Sequence, residues 1–189
     1  MKKGRVVIIS GPSGSGKTTL HKMLLKSERL KGKLVKSVSV TTRPRRAKER
    51  QGRDYLFISK KSFLDKIKKD HFLEWERVFD NYYGTPKKIV EALLNRGKNI
   101  LLCIDVKGAK TISHQFPDAV KIFITVPTLG ILKKRLIKRG SETQPDLQVR
   151  LNTAQEELKE AKKYQYLVVN DQLSRASRAL ESILQKELI

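Results

Sequence analysis

Apolar residues fall along the chain in two periods. RVVIIS (5–10), NILLCID (99–105), VKIFITV (120–126) and YLVVN (166–170) read as buried strands, and LVKSVSV (34–40) alternates into another. Between them the spacing turns helical: from Gly16 onward, in KGAKTISHQ, in LGILKKRLIKRG, in the longer QPDLQVRLNTAQEELKEAKKY and in the closing SRASRALESILQKEL. Thr85-Pro86 has the form of a helix start, a capping hydroxyl followed by proline at the first helical position, with Gly97 as the stop after Arg96. YLFIS, FLEWERVF and YYG predict short strands in an insertion with its own helix, KKSFLDKIKKD. Strands alternating with helices predict an α/β fold, a mainly parallel sheet covered by helices on both faces. There is no internal repeat and no low-complexity tract.

A chain of 189 residues makes one domain with small appendages. Its single cysteine, Cys103, excludes an internal disulfide and fits a reducing, cytoplasmic setting; the three histidines show no metal-ligand spacing. The opening MKKGRVVIISG reads as a first strand, its apolar run being too short for a signal core, and no apolar stretch is long enough to span a bilayer. Charge changes the picture more. Lys and Arg number 41 against 19 Asp and Glu, a formal +22, which points to polyanionic partners. Two clusters stand out: six basic residues against Glu49 between Thr41 and Arg53, and five with no acid from Lys133 to Arg139. The remaining lysines read as solvated surface.

The stretch GPSGSGKTT carries the first candidate chemistry. Gly11-x-x-x-x-Gly16-Lys17-Thr18 matches the phosphate-loop pattern in full, between a strand and a helix as that loop requires. Its backbone N–H groups and the helix N-terminus cradle phosphate oxygens, Lys17 reaches the β and γ phosphates, and the Thr18 hydroxyl is placed to ligate Mg²⁺. Asp105, closing NILLCID, is either a carboxylate that serves the metal directly or through water or an ordinary strand-end acid.

A phosphate loop does not choose among a motor, a switch, a nucleic-acid ATPase and a small-molecule kinase. SVSVTTRPRRAKERQGRDYLF followed by FLEWERVFDNYYGTP resembles the guanylate kinase family, which phosphorylates GMP from ATP, and the likeness runs from Gly11 through Asn170-Asp171. The resemblance implies a P-loop core (1–38, 87–132, 151–189), a small mixed α/β GMP-binding insertion (about 39–86) and a helical lid (about 133–150). It implies that Gly11, Pro12, Ser13, Gly14, Ser15, Gly16, Lys17, Thr18 and Thr19 bind ATP, with Asn170 as a weaker member, and that Mg²⁺ sits on Thr18 and, through water, Asp105. Arg43, Arg46, Tyr55 and Tyr83 would hold the GMP phosphate; Ser39, Glu74, Thr85 and Asp105 would face the rest of GMP. Arg135, Arg139 and Arg150 would close over the ATP phosphates and join Lys17, Arg43 and Arg46 as the catalytic set. Guanine presents N1–H and N2–H₂ as adjacent donors that an ionised carboxylate accepts, whereas adenine puts a lone pair at N1.

Two departures from the family pattern stand out. The arginine loop reads T-T-R-P-R-R-A-K-E, with proline one position early and Lys48 where the family has glycine, which puts the backbone there in question. Cys103 stands where the family has an acid. The rival readings are a non-catalytic guanylate-kinase-like binding module, which typically loses the loop and acceptor arginines kept here, and a basic P-loop ATPase acting on nucleic acid, for which 6% aromatics and the lack of a stacking motif are poor support. The expected partners are ATP and GMP, with dGMP left open, no membrane, no specific nucleic acid, and a monomer or homodimer.

Overall fold

The computed structural model describes residues 3–78, 80–138 and 144–188. In chain order these form β1 (Val6–Ser10), α1 (Lys17–Leu24), β2 (Leu34–Lys36), β3 (Val40–Thr41), β4 (Leu56–Phe57), α2 (Lys60–Lys68), β5 (Phe72–Val78), β6 (Asn81–Pro86), α3 (Lys87–Asn95), β7 (Asn99–Cys103), α4 (Val106–Gln115), β8 (Val120–Thr125), α5 (Leu129–Lys138), α6 (Gln144–Lys159), β9 (Tyr166–Val169) and α7 (Leu173–Leu188). Single turns of tighter helix add Glu28–Leu30 and Glu160–Lys163.

Five strands make one parallel sheet in the order β2-β7-β1-β8-β9. The alternation within β1 explains its unbroken apolar run. Val7 and Ile9 pack with α1 and α7, while Val6 and Ile8 pack with α3 and α4, so both faces are core. Because β1 lies at the centre, between β7 and β8, the loop after it opens at the carboxyl end of the sheet, where α/β folds bind ligands.

The second sheet has the order β4-β3-β6-β5, with β3 parallel to β4 and antiparallel to β6. Its core is Val40, Phe63 and Phe72, with Phe63 stacked on Phe72 at 4.5 Å and tilted against Tyr82 at 5.4 Å. Across the β5–β6 hairpin Phe72 faces Pro86 and Glu74 faces Thr85, so the strands slip by one residue at Leu73. That slip sends Phe72 into the small core and Leu73 into the core under α3 and α4. It also sets Glu74 directly across from Thr85.

Three expectations are corrected. LVKSVSV is not one strand: β2 pairs with β7 in the parallel sheet and β3 with β4 and β6 in the other, because the chain crosses between sheets at Ser37–Ser39. Thr85 does not cap α3; it is still in β6, its hydroxyl is bonded to Glu74, and Pro86 stands at the N-cap with no side-chain cap bond. NILLCID stops being a strand at Cys103, and Asp105 caps α4, its Oδ1 accepting from the Gly108 N–H at 2.8 Å. Lys48 needs no correction for strain. Among the described residues only Asp70 combines a side chain with positive φ, so glycine's freedom is not required at position 48.

The small sheet depends on few buried side chains. Phe63→Ala is therefore expected to cost about 3–5 kcal/mol, measured by urea unfolding.

Candidate active site

The phosphate loop is shaped by three glycines with positive φ, Gly11, Gly14 and Gly16, and by one buried amide. Gly16 has φ 95° and caps α1; a Cβ there would stand 2.2 Å from Asn170 Nδ2. Asn170 is 1% exposed at the end of β9, and its Nδ2 donates to the Ser15 carbonyl at 2.7 Å. Arg135 from α5 completes the brace, donating to the Asn170 carbonyl at 2.9 Å and reaching the Ser15 carbonyl at 3.5 Å. Lys17 Nζ lies over the loop, donating to the carbonyls of Gly11 at 2.6 Å and Pro12 at 3.0 Å. Gly11, Pro12 and Ser15 are buried, Ser13 and Gly14 half-buried, and Thr18 and Thr19 exposed on the first turn of α1. Asn170 thus supports the loop from behind. Arg150 is half-buried on α6, and Arg139 lies outside the described residues.

The arginine loop after β3 closes on an acid that the basic count in the sequence had obscured. Glu49 accepts both ends of the Arg43 fork, at 2.8 and 2.9 Å, and the Arg46 backbone N–H at 3.0 Å. Burial opposes its charge, but these bonds hold its carboxyl below the ordinary value. The Arg43 guanidinium lies 5.3 Å over the Tyr55 ring and 5.6 Å over Phe57, and Tyr55 meets Tyr83 edge-on at 6.1 Å. Burial pushes the Tyr55 hydroxyl up to about 12, so it stays a donor. The side chain of Arg46 is exposed, while Ser39 is half-buried with its carbonyl accepting from Leu56 N–H at 2.9 Å. Arg43, Tyr55 and Tyr83 therefore form one cationic, donor-rich wall, with Glu49 as its counter-ion.

Glu74 is the unusual carboxylate. It is 7% exposed, accepts the Thr85 hydroxyl, and lies so close to the first turn of α4 that a Cβ on Gly108 would stand 2.7 Å from Glu74 Oε2. Only glycine lets that helix approach. Burial pushes the Glu74 carboxyl up to about 7; the Thr85 hydroxyl opposes this, while the charges of Asp105 and Glu76 add to it. A second raised carboxyl belongs to Glu157 on α6, pushed up to about 7 by burial, with Lys17 pulling it down and Asp105 pushing it up. The sequence reading passed over Glu157. Its signal was an acid one helical turn after Ala154, which is fully buried against Val126 and Leu132.

Two cavities border these groups. The larger, about 450 Å³, runs along β5 past Glu74, Trp75 and Glu76 but touches neither the loop at Gly11 nor the Arg43–Tyr55–Tyr83 wall. The smaller, about 50 Å³, is lined by Thr18, Ser39, Tyr55 and Cys103 among others. Cys103 thus borders the site, and burial pushes its thiol up, so it stays neutral.

A family model described as guanylate kinase matches residues 3–187. This chain belongs to the guanylate kinase family. It is 44% identical over 187 residues to the guanylate kinase of Clostridium tetani, covering 99% of this chain and 88% of that one. Against the guanylate kinase of Thermotoga maritima it is 42% identical over 185 residues, covering 98% of this chain and 88% of the relative. The crystal structure of guanylate kinase from Anaplasma phagocytophilum superposes with a TM-score of 0.82 at 31% identity, over 100% of this chain and 88% of that one. Among the described residues no helix is long and apolar enough to cross a membrane.

The Glu74 pKa has a consequence for stability. A carboxyl raised in the folded chain stabilises it fully below the unfolded value of 4.5, and that contribution is lost as pH rises through about 7. Glu74→Gln is expected to flatten the fall in melting temperature between pH 5 and 8, removing on the order of 3 kcal/mol of pH-dependent stability. Part of the slope is expected to persist in that variant, since burial raises the Glu157 carboxyl as well.

Proposed function

We propose that the chain catalyses ATP + GMP → ADP + GDP, with the phosphate loop as donor site and the unit from about 39 to 86 as acceptor site. The observation that carries this is the buried Glu74 carboxylate across from Thr85. Such a group is costly to bury as an anion, and a ligand with two adjacent N–H donors, as on guanine, repays the cost. Adenine and pyrimidines lacking that donor pair leave the carboxylate unpaired.

In this reading ATP lies on Gly11 to Thr19, with Lys17 on its phosphates and Asn170 holding the loop through Ser15. Arg135, already on the loop, and Arg139 and Arg150 complete the donor side as a lid of about 133–150. The GMP phosphate meets Arg43, Tyr55, Tyr83 and Arg46, with Glu49 keeping the Arg43 fork aimed, and Ser39 and Asp105 border the nucleoside. Among the described residues no three His, Cys, Asp or Glu gather around a metal point, so a divalent ion would be held mainly by phosphate and water, which suits Mg²⁺. Thr18 would be its direct protein ligand and Asp105 an outer one; the ion would supply charge neutralisation across the transferring phosphates. The protein's own part is to line up two anions: cations at Lys17, Arg135 and Arg43 offset their repulsion, an acceptor phosphate oxygen bonds the γ-phosphorus as the bond to the β–γ bridging oxygen breaks, and closure excludes water.

A coupled assay of ADP formation with GMP, dGMP, AMP and UMP tests this, with turnover on GMP and almost none on AMP or UMP expected. Lys17→Ala should lower kcat by at least ~10²-fold, as for removal of a cation that acts in the transition state. Gly108→Ala should displace Glu74 and raise the KM for GMP by about tenfold or more while the KM for ATP holds. An equal rise in both constants would mean that Gly108 serves the fold and not the base.

A further inference from the structure

Asp54 lies in the turn before β4, is only 7% exposed, and contacts neither nucleotide in the assignment above. Its Oδ1 is 2.9 Å from Lys22 Nζ, and its Oδ2 accepts the Arg50 backbone N–H at 3.0 Å and Arg53 Nε at 2.9 Å. Lys36 Nζ grips the same turn from another side, donating to the carbonyls of Arg53 at 2.7 Å and Asp54 at 2.9 Å. The bond from Lys22 holds the Asp54 carboxyl well below the usual range, although burial works against it. Lys22 stands one helical turn after Thr18 on α1, and Lys36 ends β2 at the edge of the parallel sheet. Both lysines therefore belong to the donor half, and the turn they hold belongs to the acceptor half.

What the turn carries gives the grip its meaning. Tyr55 follows Asp54 directly, and its ring touches Tyr83 and lies under the Arg43 guanidinium. The space beside the turn is lined by polar side chains. The small cavity of about 50 Å³ lies there, lined by Thr18, His21, Lys36, Ser37, Tyr55 and Cys103 among others, and His21 Nε2 and Ser37 Oγ are buried without a hydrogen-bond partner. On this side the halves are joined by charged hydrogen bonds.

We propose that Lys22 and Lys36, through Asp54, are positioning residues that set the distance between the donor and acceptor phosphate sites. The proposal rests on the assignment of those two sites. With the grip intact, a GMP phosphate oxygen stands in line with the γ-phosphorus. With it loosened, water takes that place, its oxygen bonds the γ-phosphorus, the bond to ADP breaks, and ATP + H₂O gives ADP and inorganic phosphate.

The test compares wild type with Lys22→Met, Lys36→Met and Lys22→Arg, measuring GDP formed, phosphate released, both nucleotide affinities and melting temperature. Lys36→Met is the safer variant for folding, since Lys36 bonds only to carbonyl oxygens and its loss strands no buried charge. Each methionine variant is expected to lose about 10- to 100-fold in kcat, as for a small misplacement of reacting groups. Each should release more phosphate per GDP, with Kd for ATP and GMP little changed, and Lys22→Arg should restore the wild-type ratio. Methionine variants that couple as tightly as an active wild type overturn the positioning role alone. Loss of kcat together with both affinities and melting temperature, at an unchanged phosphate-to-GDP ratio, also overturns it by making the lysines structural. A wild-type protein that forms no GDP removes the site assignment, and the positioning role with it.

Discussion

A carboxylate held out of water against the first turn of a helix is the constraint on which the proposed acceptor side of this protein depends. Glu74 is placed by a one-residue slip in β5, paired with the Thr85 hydroxyl, and approached by α4 at a glycine. Each arrangement has a cost when considered alone. The slip interrupts a strand ladder, the hydroxyl is taken from the helix cap it could have made, and Gly108 weakens the start of its helix. Together they hold an acid whose carboxyl burial raises to about 7 against the pull of the Thr85 hydroxyl, a group that becomes a stable anion when further donors are brought to it.

The donor side is built on a different principle, backbone dipoles fixed by one buried amide. Asn170 holds Ser15, Arg135 holds Asn170, and Gly16 alone could pass beneath that amide. In the proposed assignment, an ATP site made of peptide N–H groups needs such bracing because a flexible glycine loop loses entropy on binding. The two sides are joined by Asp54 and its lysines and by the continuity of the chain through Ser37–Ser39, where it leaves one sheet for the other.

Much of this was legible in the residue pattern, and the part that was not has a common physical reason. Runs such as VVII and NILLC announce strands buried on both faces, and the phosphate loop is a local motif whose geometry its glycines dictate. The split of LVKSVSV between two sheets was hidden, since alternation tells which face is buried and not in which sheet. Thr85 read as a cap because hydroxyl-then-proline has that form locally, whereas a buried acid across the hairpin claimed the hydroxyl. Glu49, Asp54 and Glu157 looked like ordinary acids among many lysines; their importance lies in burial and in partners distant along the chain or across a loop, which composition does not encode. The pairing of Arg43 with Glu49 likewise changes the picture of a free basic cluster to one of a guanidinium held ready by its own counter-ion.

The most direct measurement is the titration of the Glu74 side-chain carboxyl by carbon-detected NMR, in the free protein and with saturating GMP or AMP. The account predicts a midpoint near 7 in the free protein, a fall below about 5 with GMP as the guanine donors stabilise the anion, and no such fall with AMP. An ordinary carboxyl value in the free protein, or a midpoint that GMP leaves in place, would contradict it.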